Sequence, residues 1–123
     1  ILAVDRDRQS MTFAGDVPEG VYAQLMRANF NRLVDGAMDA AELAGCGLKQ
    51  ADLAILVSCV GRRLILGQMA EEEVEGVADV LGRNTPLAGF YSYGELAPFR
   101  GGGDCELHNQ TMTVTTICED KAC

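Results

Sequence analysis

Residues 52–59 read Asp-Leu-Ala-Ile-Leu-Val-Ser-Cys, a nearly continuous apolar run between polar boundaries. A short run of this kind predicts a buried strand, and its unbroken apolar character is typical of a central strand that is covered on both faces. Gly61 is expected to end the strand. This strand fixes the centre of the predicted fold.

A helix is predicted before this strand. Asn29 can cap it, because its side-chain oxygen can accept hydrogen bonds from the unpaired amides of the first turn. Apolar residues then recur at steps of three and four from Phe30 to Ala44, which gives the helix one apolar face. Gly45 and Gly47 are expected to end it.

A second helix is predicted after the strand, over residues 62–81. Gly67 and Gly76 weaken it, so we expect it to bend or to begin late, near Met69. Four glutamates lie within residues 71–75. Near a helix start such a run suits the helix dipole and the solvent, and it indicates a solvated face rather than a metal site.

The amino-terminal part of the chain predicts three strands. Residues 1–5 and 10–15 are the first two, and the sequence Val-Pro-Glu-Gly at 17–20 is typical of a hairpin turn. The turn predicts that residues 21–28 form a strand paired with the second, although a helical spacing of apolar residues competes with this interpretation.

Two more strands are predicted near the carboxyl terminus, over residues 87–93 and 111–119, with a loop at 95–104 between them. The order is therefore βββαβαββ. Hairpins at both ends and helices in the middle predict an α+β fold, in which a largely antiparallel sheet of about six strands carries two helices on one face.

The composition limits the classes of function. A chain of 123 residues, 48% of them hydrophobic, predicts a single domain over residues 1–123. A net charge of -8 argues against nucleic acid and anionic membrane surfaces as partners. The chain contains five scattered cysteines and no apolar run long enough to span a bilayer, which favours a reducing, cytoplasmic location.

Polar side chains collect at the end of the strand at 87–93 and shortly after it. Residues 89–95 (GFYSYGE) and 108–111 (HNQT) contain two of the three tyrosines, the only histidine and a carboxylate beside a glycine. Such groups next to permissive glycines are typical of a small-molecule site.

With two further motifs, these residues resemble the C-terminal half of the FIST sensory domain (FIST_C), the F-box and intracellular signal transduction family. The motifs are the turn at 17–20, SCVGRR at 58–63, GFYSYGE at 89–95 and HNQT at 108–111, in this order along nearly the whole chain. Four motifs at compatible spacing are far more specific than any one of them.

The resemblance implies a bacterial signal-transduction input module that senses a small ligand, with amino acids as the usual proposal. It implies an N-terminal FIST half and an output domain, or a partner kinase or cyclase, as partners. We therefore expect the chain to be part of a longer signalling protein. Some members of the family bind haem and respond to nitric oxide, so a haem-bound sensor is the alternative.

The expected ligand is zwitterionic, because the candidate residues combine arginine with an aromatic wall and an acid. Arginine offers a planar fork to a carboxylate, and Tyr91 and Tyr93, on one face of a strand, could hold an ammonium group beside Glu95. Each residue could instead be structural, with satisfied polar groups in the core or loop. The predicted ligand-binding residues are Arg62, Tyr91, Tyr93, Glu95, His108 and Asn109.

Other chemistries remain as alternatives. His108 could bind a haem, Cys59 could be a nucleophile, and Cys105 with His108, Cys118 and Cys123 could hold zinc. An interaction module without a ligand is a further alternative. No complete catalytic set or phosphate-binding loop is visible, so we predict no enzyme, no catalytic residue and no metal site.

Overall fold

The computed structural model describes residues 1–45, 47, 50–98 and 103–119. Within these residues the chain has the predicted α+β class, with seven strands and three helices. A 3-10 turn, Gly67–Met69, joins the second and third helices. The elements in chain order are β1 (Ala3–Asp5), β2 (Ser10–Thr12), α1 (Phe30–Gly45), β3 (Leu53–Cys59), α2 (Val60–Leu66), α3 (Glu71–Leu81), β4 (Leu87–Ser92), β5 (Glu95–Pro98), β6 (Cys105–His108) and β7 (Met112–Ile117).

The strands form three small sheets instead of the single sheet of about six strands that the sequence predicts. The main sheet has the order β4-β3-β7, in which β3 pairs parallel with β4 and antiparallel with β7. The other two sheets are the hairpins β1-β2 and β5-β6. Three of the four strand pairings are antiparallel, in line with the prediction, whereas β3 and β4 are parallel because the helical connection between them returns the chain in the same direction.

The helices cover one face of the main sheet. Asn29 caps α1 as predicted, since its side-chain oxygen accepts a hydrogen bond from the Arg32 amide at 3.2 Å. Helices α1 and α3 pack on β3 and β7 through a small core, and none of the helices in the described part of the chain has the length and apolarity to cross a membrane. The buried members of this core are Ala37, Ala41, Ala54, Leu56, Val77 and Met112.

None of the helices in the described ranges lies over the opposite face of β3. Ile55 and Val57 point to this face and are only half-buried, and Phe90 of the neighbouring β4 is 64% exposed. The prediction that β3 is covered on both faces is therefore wrong within the described residues. A continuous apolar sequence predicts that both faces are buried, but it does not identify what covers each face.

Residues 21–28 do not form the predicted third strand. Gly20 has the left-handed φ of +82° that the predicted turn requires. However, β2 pairs with β1, and residues 21–28 are exposed and belong to no strand. The turn sequence fixes only the local backbone, whereas a strand also needs a partner edge.

The predicted helix at 62–81 is two helices, so the described residues contain three helices and not two. The break falls at Gly67–Met69, where we expected the bend. The predicted loop at 95–104 contains β5 and continues into the hairpin with β6. Strand β4 ends at Ser92, one residue before the predicted end, and this difference changes the position of Tyr93.

Candidate functional site

A fully buried carboxylate lies at the start of α3. The Glu73 side chain has no exposed surface, and it lies between α2, β3 and β4. Ser58 of β3 donates its hydroxyl proton to Oε1 of Glu73 at 3.1 Å, and the Tyr91 hydroxyl of β4 donates to the same oxygen at 2.8 Å. A buried charge is stable only when it is paired and hydrogen-bonded, and these contacts meet part of that requirement.

Arg62 supplies the opposite charge. Its Nε donates to Oε2 of Glu73 at 2.9 Å, and its side chain is 4% exposed. The remaining nitrogens donate to the backbone carbonyls of Leu33 and Gln110, which ties α1 and the turn before β7 to α2. Arg62 therefore has partners within the protein at every side-chain nitrogen and is a structural ion-pair residue.

Tyr91 connects this buried pair to the edge of the sheet. Burial, the hydrogen bond to Glu73 and the negative charge of Glu73 together raise the pKa of the Tyr91 hydroxyl from 10.0 to about 12. The ionised phenolate is disfavoured because it would lie beside a carboxylate. Tyr91 therefore remains a neutral hydrogen-bond donor across the physiological pH range.

A cavity of 620 Å³ lies beside these residues, between β4, β3 and the start of α3. This volume is in the range of small-molecule sites, roughly 300–1,000 Å³. Ser58, Glu73 and Tyr91 give it a polar part, while the rest of its lining is largely apolar. Its residues are Leu56, Ser58, Arg63, Glu73, Val74, Leu87, Ala88, Gly89, Phe90, Tyr91 and Met112.

Arg63 is the arginine of the cavity lining that is available to contact a ligand. Its guanidinium carbon lies 5.0 Å from the centre of the Tyr91 ring, which is cation–π geometry, and the side chain reaches the solvent. Among the described residues, ion pairs to carboxylates involve Arg8, Arg62 and Arg83, and Arg63 takes part in none of them. The Arg63 guanidinium can therefore accept an anionic group of a ligand without losing an internal ion pair.

Gly89 shapes the cavity floor. A Cβ atom at this position would lie 2.1 Å from the carbonyl oxygen of Leu56 on β3, a separation that real Cβ atoms do not show. The strands β3 and β4 can therefore approach each other at this point only with glycine at position 89. The first glycine of the GFYSYGE motif is therefore required by the packing of β3 against β4 beside the cavity.

Glu95 and His108 lie in a second, separate cluster. The Glu95 carboxylate is buried and accepts hydrogen bonds from the hydroxyls of Ser92, at 2.6 Å, and Thr111, at 2.8 Å. His108 pairs with Glu95 across the β5-β6 hairpin, and its Nε2 lies 2.9 Å from the carbonyl oxygen of Ala97. This cluster fixes the hairpin and the turn before β7.

Of the six predicted ligand-binding residues, Tyr91 lines the cavity and the other five do not. Tyr93 lies beyond the end of β4 and is 90% exposed, so Tyr91 and Tyr93 do not form the predicted aromatic wall. Asn109 is exposed and lies next to Gly15. The structure thus separates the predicted site into the cavity, the buried ion pair and the hairpin cluster.

The alternative chemistries find little geometric support among the described residues. Cys59 is buried, as a structural cysteine would be. No group of three or more histidine, cysteine, aspartate or glutamate side chains in the described ranges could hold a metal ion, and Cys123 lies outside those ranges. His108 is directed at Ala97 and does not line the cavity, so its geometry does not fit an axial bond to a haem in that cavity.

Sequence reasoning missed Ser58, Arg63 and Glu73. The prediction of a solvated glutamate run is right for Glu71, Glu72 and Glu75, which are exposed, and wrong for Glu73. A signal was present, because Glu73 is four residues before the buried Val77 and therefore lies on the buried face of α3. Arg63 could have been distinguished from Arg62 only by knowing which side of α2 faces the sheet.

The comparison with protein families agrees with the motifs. The sequence model of the FIST C domain matches residues 1–98, which include the cavity-lining residues of α2, α3, β3 and β4. No curated protein and no solved structure matches the chain significantly.

Proposed function

Because the chain belongs to the FIST C domain family, whose members are sensory domains of signal transduction, we propose that it binds an amino-acid-like ligand in the cavity beside β4. The proposal includes no chemical step, and it makes the chain an input domain that reports the ligand to an N-terminal FIST half and to an output domain or partner enzyme. Arg63 replaces Arg62 as the residue that receives the ligand carboxylate.

The observation that supports the proposal is the position of Arg63. Its guanidinium stands over Tyr91 at the margin of the cavity and has no carboxylate partner among the described residues. A carboxylate would form charge-assisted hydrogen bonds to it. The Tyr91 ring can stack on the ligand beside Arg63, and the apolar side chains of Leu87 and Val74 offer contacts to its side chain.

The experiment is a panel of the common L-amino acids, tested by isothermal titration calorimetry and by thermal shift on the protein and on Arg63→Gln. Arg83→Gln is the matched control, because Arg83 is an exposed arginine whose ion pair with Asp79 lies away from the cavity. We expect binding that Arg63→Gln weakens by about tenfold and Arg83→Gln leaves unchanged, since a charged hydrogen bond contributes about 1.5–3 kcal/mol. Equal loss in both variants, or no binding at all, would reject the proposal.

A further inference from the structure

The outer edge of β4 has no strand beside it in the part of the chain that the structure describes. Among the described strands, β4 pairs only with β3. The Ala54 amide donates to the Pro86 carbonyl at 3.0 Å, and Leu87 stands opposite Ala54 in the register. Because backbone groups alternate in direction along a strand, the amides and carbonyls of Leu87, Gly89 and Tyr91 point away from β3. These residues present a row of hydrogen-bonding groups to whatever lies beside the strand.

The cavity follows this edge. Five consecutive residues of β4, 87–91, line it. Positions 87, 89 and 91 face the helices, so the cavity reaches Ala88 and Phe90 through their backbone atoms or around the edge of the strand. The lining therefore extends along the backbone of the strand, with Val74 of α3 opposite. At roughly 3.3 Å per residue, the four steps from 87 to 91 give a length of about 13 Å, which suits an extended chain of about four residues.

Arg63 marks one end of this groove. It stacks on Tyr91, so the positive charge lies at the carboxyl end of β4 and away from Leu87. A strand that places its terminal carboxylate at Arg63 must run in the same direction as β4. The same parallel direction relates β4 to β3.

We infer that the ligand is a short peptide with a free C-terminal carboxylate, bound as an extended strand parallel to β4 with the carboxylate at Arg63. Strand addition to a free sheet edge is a general mode of peptide recognition, in which main-chain hydrogen bonds provide the affinity. This inference rests on the proposed function of the cavity and defines its ligand class. A single amino acid would fill only part of the groove and would use few of its backbone groups.

The test uses an equimolar tetrapeptide library with free carboxylates, its C-terminally amidated counterpart and the common L-amino acids. Native mass spectrometry of the whole chain identifies retained members, and calorimetry measures them singly. We expect retained tetrapeptides to bind at least tenfold more tightly than their component amino acids, because an extended peptide adds main-chain hydrogen bonds to β4 that a single amino acid does not make. Amidation is expected to weaken binding by about tenfold, and Arg63→Gln is expected to abolish this preference for the free carboxylate.

Backbone N-methylation of a retained tetrapeptide tests the strand pairing without altering the protein. Methylation at one of the two central residues should weaken binding by about tenfold, and methylation at the other should change it little, because only one of the two amides faces β4. Equal effects at both positions would overturn the inference. Binding of amino acids with no gain for peptides would also overturn it while leaving the proposed function intact, and failure of both ligand classes would overturn both.

A synthetic peptide of residues 21–28 is a necessary further probe. This segment is exposed and in no strand, and a second copy of the chain could place it on β4. We expect it to bind no more tightly than a scrambled peptide of the same composition. Specific binding of this peptide, together with dimers in sedimentation analysis, would assign the groove to a second copy and overturn the inference.

Discussion

The hydroxyl group of Tyr91 donates a hydrogen bond to Oε1 of Glu73 at 2.8 Å, and this contact joins the edge strand β4 to the first turn of α3. Oε2 of the same carboxylate accepts a hydrogen bond from Nε of Arg62. The other Arg62 nitrogens donate to carbonyl groups of α1 and of the turn before β7. The wall of the cavity is therefore built on a buried charge network. The residues of this network are expected to control stability, while Arg63 at the margin is expected to control binding.

The Tyr91 contact predicts a loss of stability at high pH. The folded pKa of Tyr91, about 12, lies above its ordinary value of 10.0, so folding favours the protonated form. Its contribution to stability is fully present below pH 10 and is lost as the pH rises from 10 to 12. Ultraviolet titration of the phenolate should show one of the three tyrosines ionising near pH 12.

Tyr91→Phe is the control for this titration. It should remove the late phase and flatten the dependence of unfolding free energy on pH between 10 and 12. A late phase that persists in Tyr91→Phe would contradict the assignment of the raised pKa to Tyr91.

The buried ion pair predicts a large effect of Arg62→Ala. The substitution leaves the Glu73 carboxylate buried without its counter-charge and should lower the free energy of unfolding by about 3–5 kcal/mol, measured by urea denaturation. Arg83→Ala breaks the exposed ion pair with Asp79 and should cost less than about 1 kcal/mol. If the two variants lose the same stability, the ion pair is not structural.

A double substitution separates the loss of the pair from the loss of one partner. Replacing both charges, as Arg62→Met with Glu73→Leu, should restore much of the stability that Arg62→Ala loses, because no buried charge is left unpaired. A double variant that is less stable than Arg62→Ala would show that the neutral hydrogen bonds of Ser58 and Tyr91 outweigh the ion pair.

The close approach of β3 and β4 predicts that Gly89→Ala is destabilising. The new Cβ would meet the Leu56 carbonyl oxygen at 2.1 Å, so the strands must separate, at a cost of about 1–3 kcal/mol or more. Gly36→Ala in α1 is the matched control, since a Cβ there meets nothing within 4 Å. It should stabilise the helix by about 0.5–1 kcal/mol. Thermal unfolding of both variants measures the difference, and a neutral Gly89→Ala would contradict the packing.

The hairpin cluster predicts a structural effect of Glu95→Ala. The substitution removes the acceptor of the Ser92 and Thr111 hydroxyls and should lower the free energy of unfolding by about 1–3 kcal/mol. Ligand affinity should change less than threefold, because Glu95 does not line the cavity. Calorimetry and urea denaturation on the same variant separate the two effects. A strong loss of affinity with unchanged stability would return Glu95 to the binding site.

Several elements could be predicted from the sequence because local chemistry determines them. Asn29 caps α1, the buried residues of α1 follow the predicted apolar face, and the helical region breaks at Gly67. The α+β class followed from the same patterns. Each of these features depends on residues that are close together in the sequence.

The features that could not be predicted depend on contacts between distant parts of the chain. Residues 21–28 follow a turn sequence that is typical of a hairpin, but in the described structure they have no strand edge to pair with. Glu73 is buried because Arg62, Ser58 and Tyr91 converge on it from three other elements. The choice between Arg62 and Arg63 depends on the orientation of α2, which a sequence of adjacent arginines does not reveal.

We propose that the ligand of this sensory domain binds in the cavity beside β4. The decisive measurement is a 1H–15N NMR titration of the protein with the common L-amino acids and with free-carboxylate tetrapeptides, followed by the single compound that binds most tightly. We predict shifts at the amides of Ser58, Val74 and residues 87–91, all on the cavity lining, and a titration midpoint about tenfold higher in Arg63→Gln. Shifts confined to the hairpin of Glu95 and His108, or no shifts with either class of compound, would contradict binding in this cavity.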